Sequence, residues 1–280
     1  MKVLVTGATG FVGNKIIEQL IEAGHKVVAT STNLEKAQEK IWFNKVSFIP
    51  YIINSQEDRN LFEYFQQPDL LIHLAWKGLP NYTELLHLEE NLFDNYFFLK
   101  NLIVNGLKDL TVIGTCFEYG MQEGCLNEGM ETKPANAYAL AKDTLRKLIE
   151  ELNKKIDFDF KWVRLFYMYG DGQSPKSLIS QLHQALDSGD EYFNMSKGDQ
   201  MRDYLSIEAV AENIVSISVQ KNVLGIINCC SGEPITVQQF VENYLKQINR
   251  TIKLNLGHYP YSSLEPFAFW GDNHKMSKIR

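Results

Sequence analysis

Tyr138 and Lys142 stand four residues apart in Tyr138-Ala139-Leu140-Ala141-Lys142, inside a segment whose apolar spacing predicts a helix over 135–154. One helical turn brings the phenol and the ammonium to the same face. An ammonium beside a phenol favours the phenolate and lowers the tyrosine pKa from about 10, so the pair can exchange a proton with a carbonyl or alcohol oxygen. The spacing alone decides nothing, because Tyr96-Phe97-Phe98-Leu99-Lys100 repeats it. Surroundings separate the two. A strand is predicted over 109–114, and Thr115 and Cys116 follow at its C-terminal edge, where open α/β sheets bind ligands. Thr115 can therefore hydrogen-bond the oxygen that Tyr138 protonates. Tyr96 belongs to an apolar helix with Leu92, Phe93, Leu99 and Leu102 and is read as packing.

A second constellation opens the chain. Thr6-Gly7-Ala8-Thr9-Gly10-Phe11-Val12-Gly13 joins an apolar run to a helical pattern. Its G-x-x-G-x-x-G spacing is a variant of the dinucleotide fingerprint, in which glycines allow a tight turn and a close approach of backbone to pyrophosphate. Gly7, Gly10 and Gly13, with Thr9, Phe11 and Val12, form the expected cofactor cradle. The next strand ends Thr30-Ser31-Thr32-Asn33, with no acid before Glu35. An acid there would bond ribose hydroxyls and repel a 2′-phosphate. Ser31, Thr32 and Lys36 can supply donors and charge to that phosphate, which favours NADP(H) and leaves NAD open. Thr32 or Asn33 serves equally well as a cap for the helix that follows.

The elements that must position these residues alternate along the chain. Buried strands are expected at 2–6, 26–30, 46–49, 69–74, 109–114 and 160–166, with helices at 11–23, 84–105 and 135–154 between them. Uninterrupted apolar strands separated by helices imply a doubly wound parallel sheet covered on both faces, a Rossmann-like α/β fold. After Gly170 the texture becomes shorter and richer in glycine, with helices at 177–187, 207–219 and 237–248. The division expected is a dinucleotide-binding region over 1–170 and a smaller C-terminal substrate lobe over 171–280, with some segments returning to the sheet.

With 280 residues, the chain can bury a sizeable core without disulfides or metal. Cys116, Cys125, Cys229 and Cys230 form no C-x-x-C pair and are read as reduced thiols in a cytoplasmic protein; no metal site is expected. A net charge of −6 argues against a general grip on nucleic acid or anionic membrane. No apolar run is long enough to span a bilayer.

Together, the glycine loop, strand-end Thr115 and Tyr138/Lys142 resemble the extended short-chain dehydrogenase/reductase family, in its epimerase/dehydratase branch. The resemblance covers most of the chain. It implies that Leu74 and Ala75, in Ile72-His73-Leu74-Ala75, lie along the cofactor, and that Asn91 matches an asparagine on the next helix. Arg164–Gly170 is similar to the strand leaving the active site, with Tyr167 facing the pocket. Gly198-Asp199-Gln200-Met201-Arg202-Asp203-Tyr204 resembles the segment of nucleotide-sugar enzymes in which the arginine meets a diphosphate; a structural role for Arg202 beside a carboxylate is the alternative. Asn228–Gly232 matches another family strand. Trp76, beyond the fourth strand, lines the substrate pocket or covers it.

Departures from the family narrow the chemistry. Sugar-nucleotide dehydratases follow the threonine with Asp-Glu as acid and base; here Cys116 and Phe117 stand there, and phenylalanine moves no proton. Epimerising synthases place a cysteine two residues after the strand-end hydroxyl, again the position of Phe117. What remains is hydride transfer without further acid–base groups. The resemblance is closest to nucleotide-sugar 4-ketoreductases of the dTDP-4-dehydro-6-deoxyglucose reductase kind. It implies NADP(H)-dependent reduction of a nucleotide-linked 4-keto-6-deoxyhexose for bacterial surface polysaccharide, by a homodimer formed through helices 84–105 and 135–154. Lys142 would bind the nicotinamide ribose. Alternatives are an NAD-dependent 4-epimerase and a non-catalytic NADP-sensing protein.

Overall fold

The computed structural model describes residues 1–262 and 265–279. Strand β1 (Lys2–Thr6) sends Val3 and Val5 to one side and Leu4 to the other, and β2 (Lys26–Thr30) does the same with Val27 and Ala29 against Val28. This period-two alternation feeds two separate cores. With β3 (Ser47–Phe48), β4 (Leu70–His73), β5 (Asp109–Thr115), β6 (Asp159–Leu165) and β7 (Gly225–Cys229) they form a parallel seven-stranded sheet in the order β7-β6-β5-β4-β1-β2-β3.

The longer helices are α1 (Phe11–Glu22), α2 (Leu92–Val104), α3 (Ala137–Asn153), α4 (Leu178–Ser188), α5 (Ile207–Val219) and α6 (Val237–Gln247). On one face Ile16, Ile17 and Leu20 of α1 share a core with Val210, Ile214 and Ile217 of α5. On the other, Leu99, Leu102 and Ile103 of α2 pack with Leu145 and Ile149 of α3. The sheet is therefore doubly wound, as expected. Its strand order reverses between β1 and β4, and such a switch point opens a crevice at the C-terminal ends of the strands.

Beyond β6 the chain builds a further core, in which Ile179, Leu182 and Leu186 of α4 meet Phe193 and Phe240, Val241 and Leu245 of α6. β7 returns from this region to the sheet beside β6. A small cluster of Cys116, Tyr119, Leu126, Phe166, Cys230 and Phe269 lies beyond the ends of β5, β6 and β7.

The helix expected over 84–105 differs at its start. It begins with a π turn at His87–Asn91 before α2. The wider turn is accompanied by two polar side chains buried with partners: His87 Nε2 donates to the Asn81 carbonyl at 2.9 Å and Asn91 Nδ2 donates to the Lys77 carbonyl at 3.0 Å. Such turns recur at functional sites.

His73 ties β1, β4 and α2 together. Its Nδ1 lies 3.0 Å from Thr6 Oγ1, and its Nε2 lies 2.8 Å from Asn95 Oδ1. Burial, with the Lys142 charge adding to it, holds the imidazole down to about 3. The unfolded chain therefore binds a proton below about 6.5 that the folded chain refuses, so this group lowers stability as pH falls from 6.5 towards 3. We expect urea melts to show His73→Gln losing stability less steeply over that window, by up to one proton, about 1.4 kcal/mol per pH unit. Equal slopes for the two proteins would mean that His73 titrates normally.

Candidate active site

Thr115 ends β5 and caps the short turn Cys116–Tyr119. Its hydroxyl accepts from the Phe117 N–H at 3.3 Å, while the Glu118 carboxylate accepts from the Thr115 N–H at 2.9 Å. This reciprocal box fixes the rotamer of a buried hydroxyl at the strand edge. Tyr138 lies in the first turn of α3, whose N-cap Asn136 accepts from the Ala139 N–H. The Tyr138 N–H also donates to the Tyr82 carbonyl at 3.0 Å, which anchors the helix start to the opposite wall.

Thr115, Tyr138 and Lys142 line one cavity of about 710 Å³, together with Gly7, Gly10, Phe11, Val12 and Gly13 of the loop before α1. Leu74, Trp76, Leu79, Tyr82, Cys116, Phe117 and Tyr167 line it as well, so two walls are aromatic or aliphatic. A neighbouring cavity of about 350 Å³ is lined by Thr9, Ser31, Thr32, Ala75 and Asn91, and shares Gly7, Gly10, Leu74 and Trp76 with the first. Tyr96, on α2, is half-buried against the core and lines neither cavity, its ring 5.4 Å from that of Phe97.

Two expected residues sit elsewhere than their sequence neighbours suggested. Lys36 lines the larger cavity beside the glycine loop, away from Ser31 and Thr32, because Asn33 caps the short helix Leu34–Gln38 by accepting from the Lys36 N–H at 2.8 Å. Arg202 is buried behind the wall and lines neither cavity. It donates to the carbonyls of Met201 and Phe267 and to Glu265 Oε2 at 3.0 Å, with its guanidinium 4.7 Å from the Phe269 ring centroid.

The electrostatics of the tyrosine–lysine pair also differ from the expectation. Burial pushes the Tyr138 phenol well up, with Tyr82, Glu118 and Cys116 adding to the rise and the Thr115 hydroxyl opposing it. Lys142 turns its ammonium to the Ile113 carbonyl, 2.9 Å away, and burial holds it down to about 7, against the pull of Glu118. The phenol is thus kept as a proton donor and the ammonium is poised near neutrality. Burial also pushes the Cys116 thiol up, which disqualifies it as a base at neutral pH.

The residues present fit a dinucleotide. Helix α1 has a glycine N-cap, no side-chain cap and no acid in its first turn, so its free N–H groups can receive an anion. A Cβ at Gly13 would come within 2.3 Å of the Gly7 carbonyl oxygen, so loop and helix meet as closely as backbone allows. The buried hydroxyl oxygens of Thr30 and Ser31 have no hydrogen-bond partner, and both residues line the smaller cavity.

Three features went unseen in the sequence. Tyr82 stands in a loop without periodicity, yet its ring lies 5.5 Å from that of Tyr138. His87, likewise, packs its ring 5.4 Å from the Tyr138 ring. Glu118 orients Thr115 from within a 3₁₀ turn that carries no motif of its own.

A parallel doubly wound sheet with a glycine loop after β1 and a Thr/Tyr/Lys set at the ends of β5 and α3 defines a dinucleotide-binding α/β protein. The chain belongs to the NAD dependent epimerase/dehydratase family, whose profile matches residues 3–230. It is 29% identical over 272 residues to the dTDP-6-deoxy-L-talose 4-dehydrogenase (NAD(+)) of Aggregatibacter actinomycetemcomitans, covering 97% of this chain and 99% of that one. It is 23% identical over 264 residues to the dTDP-4-dehydro-6-deoxyglucose reductase of Escherichia coli, covering 89% and 82%. The UDP-glucuronic acid 4-epimerase of Bacillus cereus, solved with UDP-glucuronic acid and NAD, superposes with a TM-score of 0.82 at 22% identity, over 100% of this chain and 92% of that chain.

Gly13→Ala should separate cradle from fold. The added methyl meets backbone that cannot rotate away, so the loop must open. Dinucleotide affinity measured by titration calorimetry is expected to fall at least tenfold, roughly 1.4 kcal/mol, with the circular dichroism spectrum retained. Unchanged affinity would show that the loop carries no phosphate.

Proposed function

We propose that this chain is a nicotinamide-dependent reductase acting on the C4 ketone of a nucleotide-linked 6-deoxyhexose. One observation carries the reading: Thr115, Tyr138 and Lys142 share a cavity wall facing the glycine loop, with the phenol held in its protonated form. A protonated phenol is the form that serves a ketone. Tyr138 gives its proton to O4 as C4 gains hydride, so the carbonyl becomes an alcohol and the proton count closes. Thr115 steadies the same oxygen by a hydrogen bond. Lys142 binds the nicotinamide ribose from one helical turn away. The dinucleotide, when bound, supplies the hydride.

No second acid–base pair stands at the strand end. Phe117 cannot move a proton and Cys116 is held as a thiol, so elimination of water lacks its catalysts. The relative from Aggregatibacter is named for a 4-dehydrogenase reaction on a dTDP-linked 6-deoxy sugar, which is oxidation at the same carbon, the reverse direction. Its likeness extends over nearly the whole chain, which supports the substrate class. In this reading Arg202 meets the diphosphate by exchanging Glu265 for phosphate oxygens, a geometry suited to a guanidinium. The product feeds surface polysaccharide from the cytoplasm. Two copies join through α2 and α3, where Phe93, Phe97 and Leu140 are exposed apolar side chains; light scattering reads the mass of the assembly directly.

For the cofactor we favour NADP(H), because the chain after β2 runs Ser31-Thr32-Asn33 with no acid before Glu35, and Asp94, which lines the same cavity, is paired with Lys77 at 3.2 Å. The name of the Aggregatibacter relative carries NAD(+), which makes NADH the competing outcome. Thermal shifts with NADPH and NADH at equal concentration distinguish them, since the tighter ligand raises the melting temperature more. Ser31→Asp is expected to weaken NADPH by roughly 1–3 kcal/mol while sparing NADH. Equal loss of both would remove Ser31 from the 2′-phosphate.

Tyr138→Phe is expected to cut turnover of a dTDP-4-keto-6-deoxyhexose at least a hundredfold, about 3 kcal/mol, with dinucleotide affinity nearly unchanged. Tyr96→Phe should behave as wild type. Retention of activity by Tyr138→Phe would sink the mechanism. A purified chain that carries stoichiometric NAD and interconverts C4 epimers without net cofactor consumption would replace the reductase by a 4-epimerase.

A further inference from the structure

We propose that Trp76 is a positioning residue for Lys142: its indole, pinned by the buried His87, is the platform that holds the lysine ammonium at the cavity wall. The inference rests on the reading of Lys142 as the partner of Tyr138, and goes beyond it in naming what holds the ammonium. Lys142 Nζ lies 4.0 Å from the Trp76 ring centroid and donates to the Ile113 carbonyl at 2.9 Å. An ammonium has three donors. One serves Ile113 and the π face takes the charge from another side, which leaves donor capacity for the cavity.

The indole is itself fixed. His87 Nε2 donates to the Asn81 carbonyl at 2.9 Å, so Nδ1 is the acceptor, and Trp76 Nε1 donates to it at 3.0 Å. The two rings stack at 6.3 Å with an interplanar angle of 23°. Both also press on Tyr138, His87 at 5.4 Å and Trp76 at 6.0 Å. A single cluster thus orients the phenol and the ammonium together. The π turn at His87–Asn91 brings His87 to this place.

The platform answers a physical need. Lys142 is fully buried, and burial disfavours its charge. Glu118, across the end of β5, favours that charge, but directs its oxygens to Arg164, Trp162 and the Thr115 N–H. His73, at the end of β4, is held neutral; Tyr138, on the same helix, is held protonated. His87 spends its two ring nitrogens on the Asn81 carbonyl and the Trp76 N–H. Beside the Ile113 carbonyl, the Trp76 face at 4.0 Å is then the group placed to stabilise the ammonium.

The test compares Trp76→Phe with Trp76→Leu in the full chain. Lysine ¹⁵Nζ resonances, followed against pH without substrate or dinucleotide, report the protonation of Lys142 directly. We expect Trp76→Leu to lower the pH at which Lys142 loses its proton by about half to one unit, and Trp76→Phe, which keeps a π face, to shift it by less than half of that. At pH 7.5 turnover should fall about tenfold in the leucine variant and recover largely in the phenylalanine variant, with a pH profile displaced in the same direction. An unmoved Lys142 titration in Trp76→Leu overturns the proposal. Equal shifts in both variants overturn it as well, because the π face would then be irrelevant. A titration that moves while turnover stays constant supports the platform and instead removes Lys142 from the catalytic reading. Trp76 is only part-buried, so both variants are expected to fold.

Discussion

The ion pair between Glu118 and Arg164 has both side chains fully buried, with Glu118 Oε2 2.7 Å from Arg164 Nε. The rest of the site hangs on it. A buried pair of this kind gives little net stability, yet losing one partner leaves an unmatched charge and costs about 3–5 kcal/mol. Glu118 also accepts from Trp162 Nε1 at 2.9 Å and from the Thr115 N–H. It thereby joins β5, β6 and the turn that presents the Thr115 hydroxyl. The same crowding explains Gly114, where any Cβ would lie 2.2 Å from Trp162 Nε1 and 2.5 Å from Glu118 Oε1. The threonine can stand at the cavity edge because the residue before it has no side chain.

From that anchor the cavity divides by chemistry. Towards the glycine loop it offers backbone N–H groups at the start of α1 and the cation of Lys36. Towards the lobe it offers Phe117, Tyr82, Leu79 and Phe166, with hydroxyls at Thr115, Tyr138 and Tyr167. Lys36 and Lys142 are the charged side chains among the described residues lining it, in a chain whose net charge is −6. The positive charge at this cavity is therefore local, produced by placement and not by overall charge. Burial then sets the protonation states, holding the phenol as an acid and the lysine near neutrality.

The lobe contributes through strand pairing as much as through its own core. Tyr204–Ser206 pairs in parallel with Tyr167–Tyr169, so the end of β6 continues directly into the lobe. Asp203 accepts from the N–H groups of Ser231 and Gly232 at 2.7 and 2.9 Å, which ties that pairing to the segment after β7. Arg202 is held between these strands and Phe269, with its charge met by Glu265. A guanidinium placed so is available to a phosphate only by exchange of partners.

The sequence by itself determined what depends on local periodicity and local backbone demand. Alternating apolar strands such as Val3-Leu4-Val5 specify two cores, and helices with one apolar stripe must cover them, so the doubly wound sheet was legible. The glycine spacing at Gly7, Gly10 and Gly13 and the turn from Tyr138 to Lys142 are likewise short-range facts. Tertiary structure alone decided the partners. Glu118 and Arg164 are 46 residues apart, as are no two members of any motif, and Tyr82 meets Tyr138 from a loop without pattern. Only folding revealed that Lys36 lines one cavity with the glycine loop, that Arg202 is engaged by Glu265, and that the Lys142 ammonium turns to Trp76 and Ile113. The reason is electrostatic as well as topological: a pKa depends on how much water is removed and which charges remain nearby, and both are properties of contacts between residues that are distant along the chain.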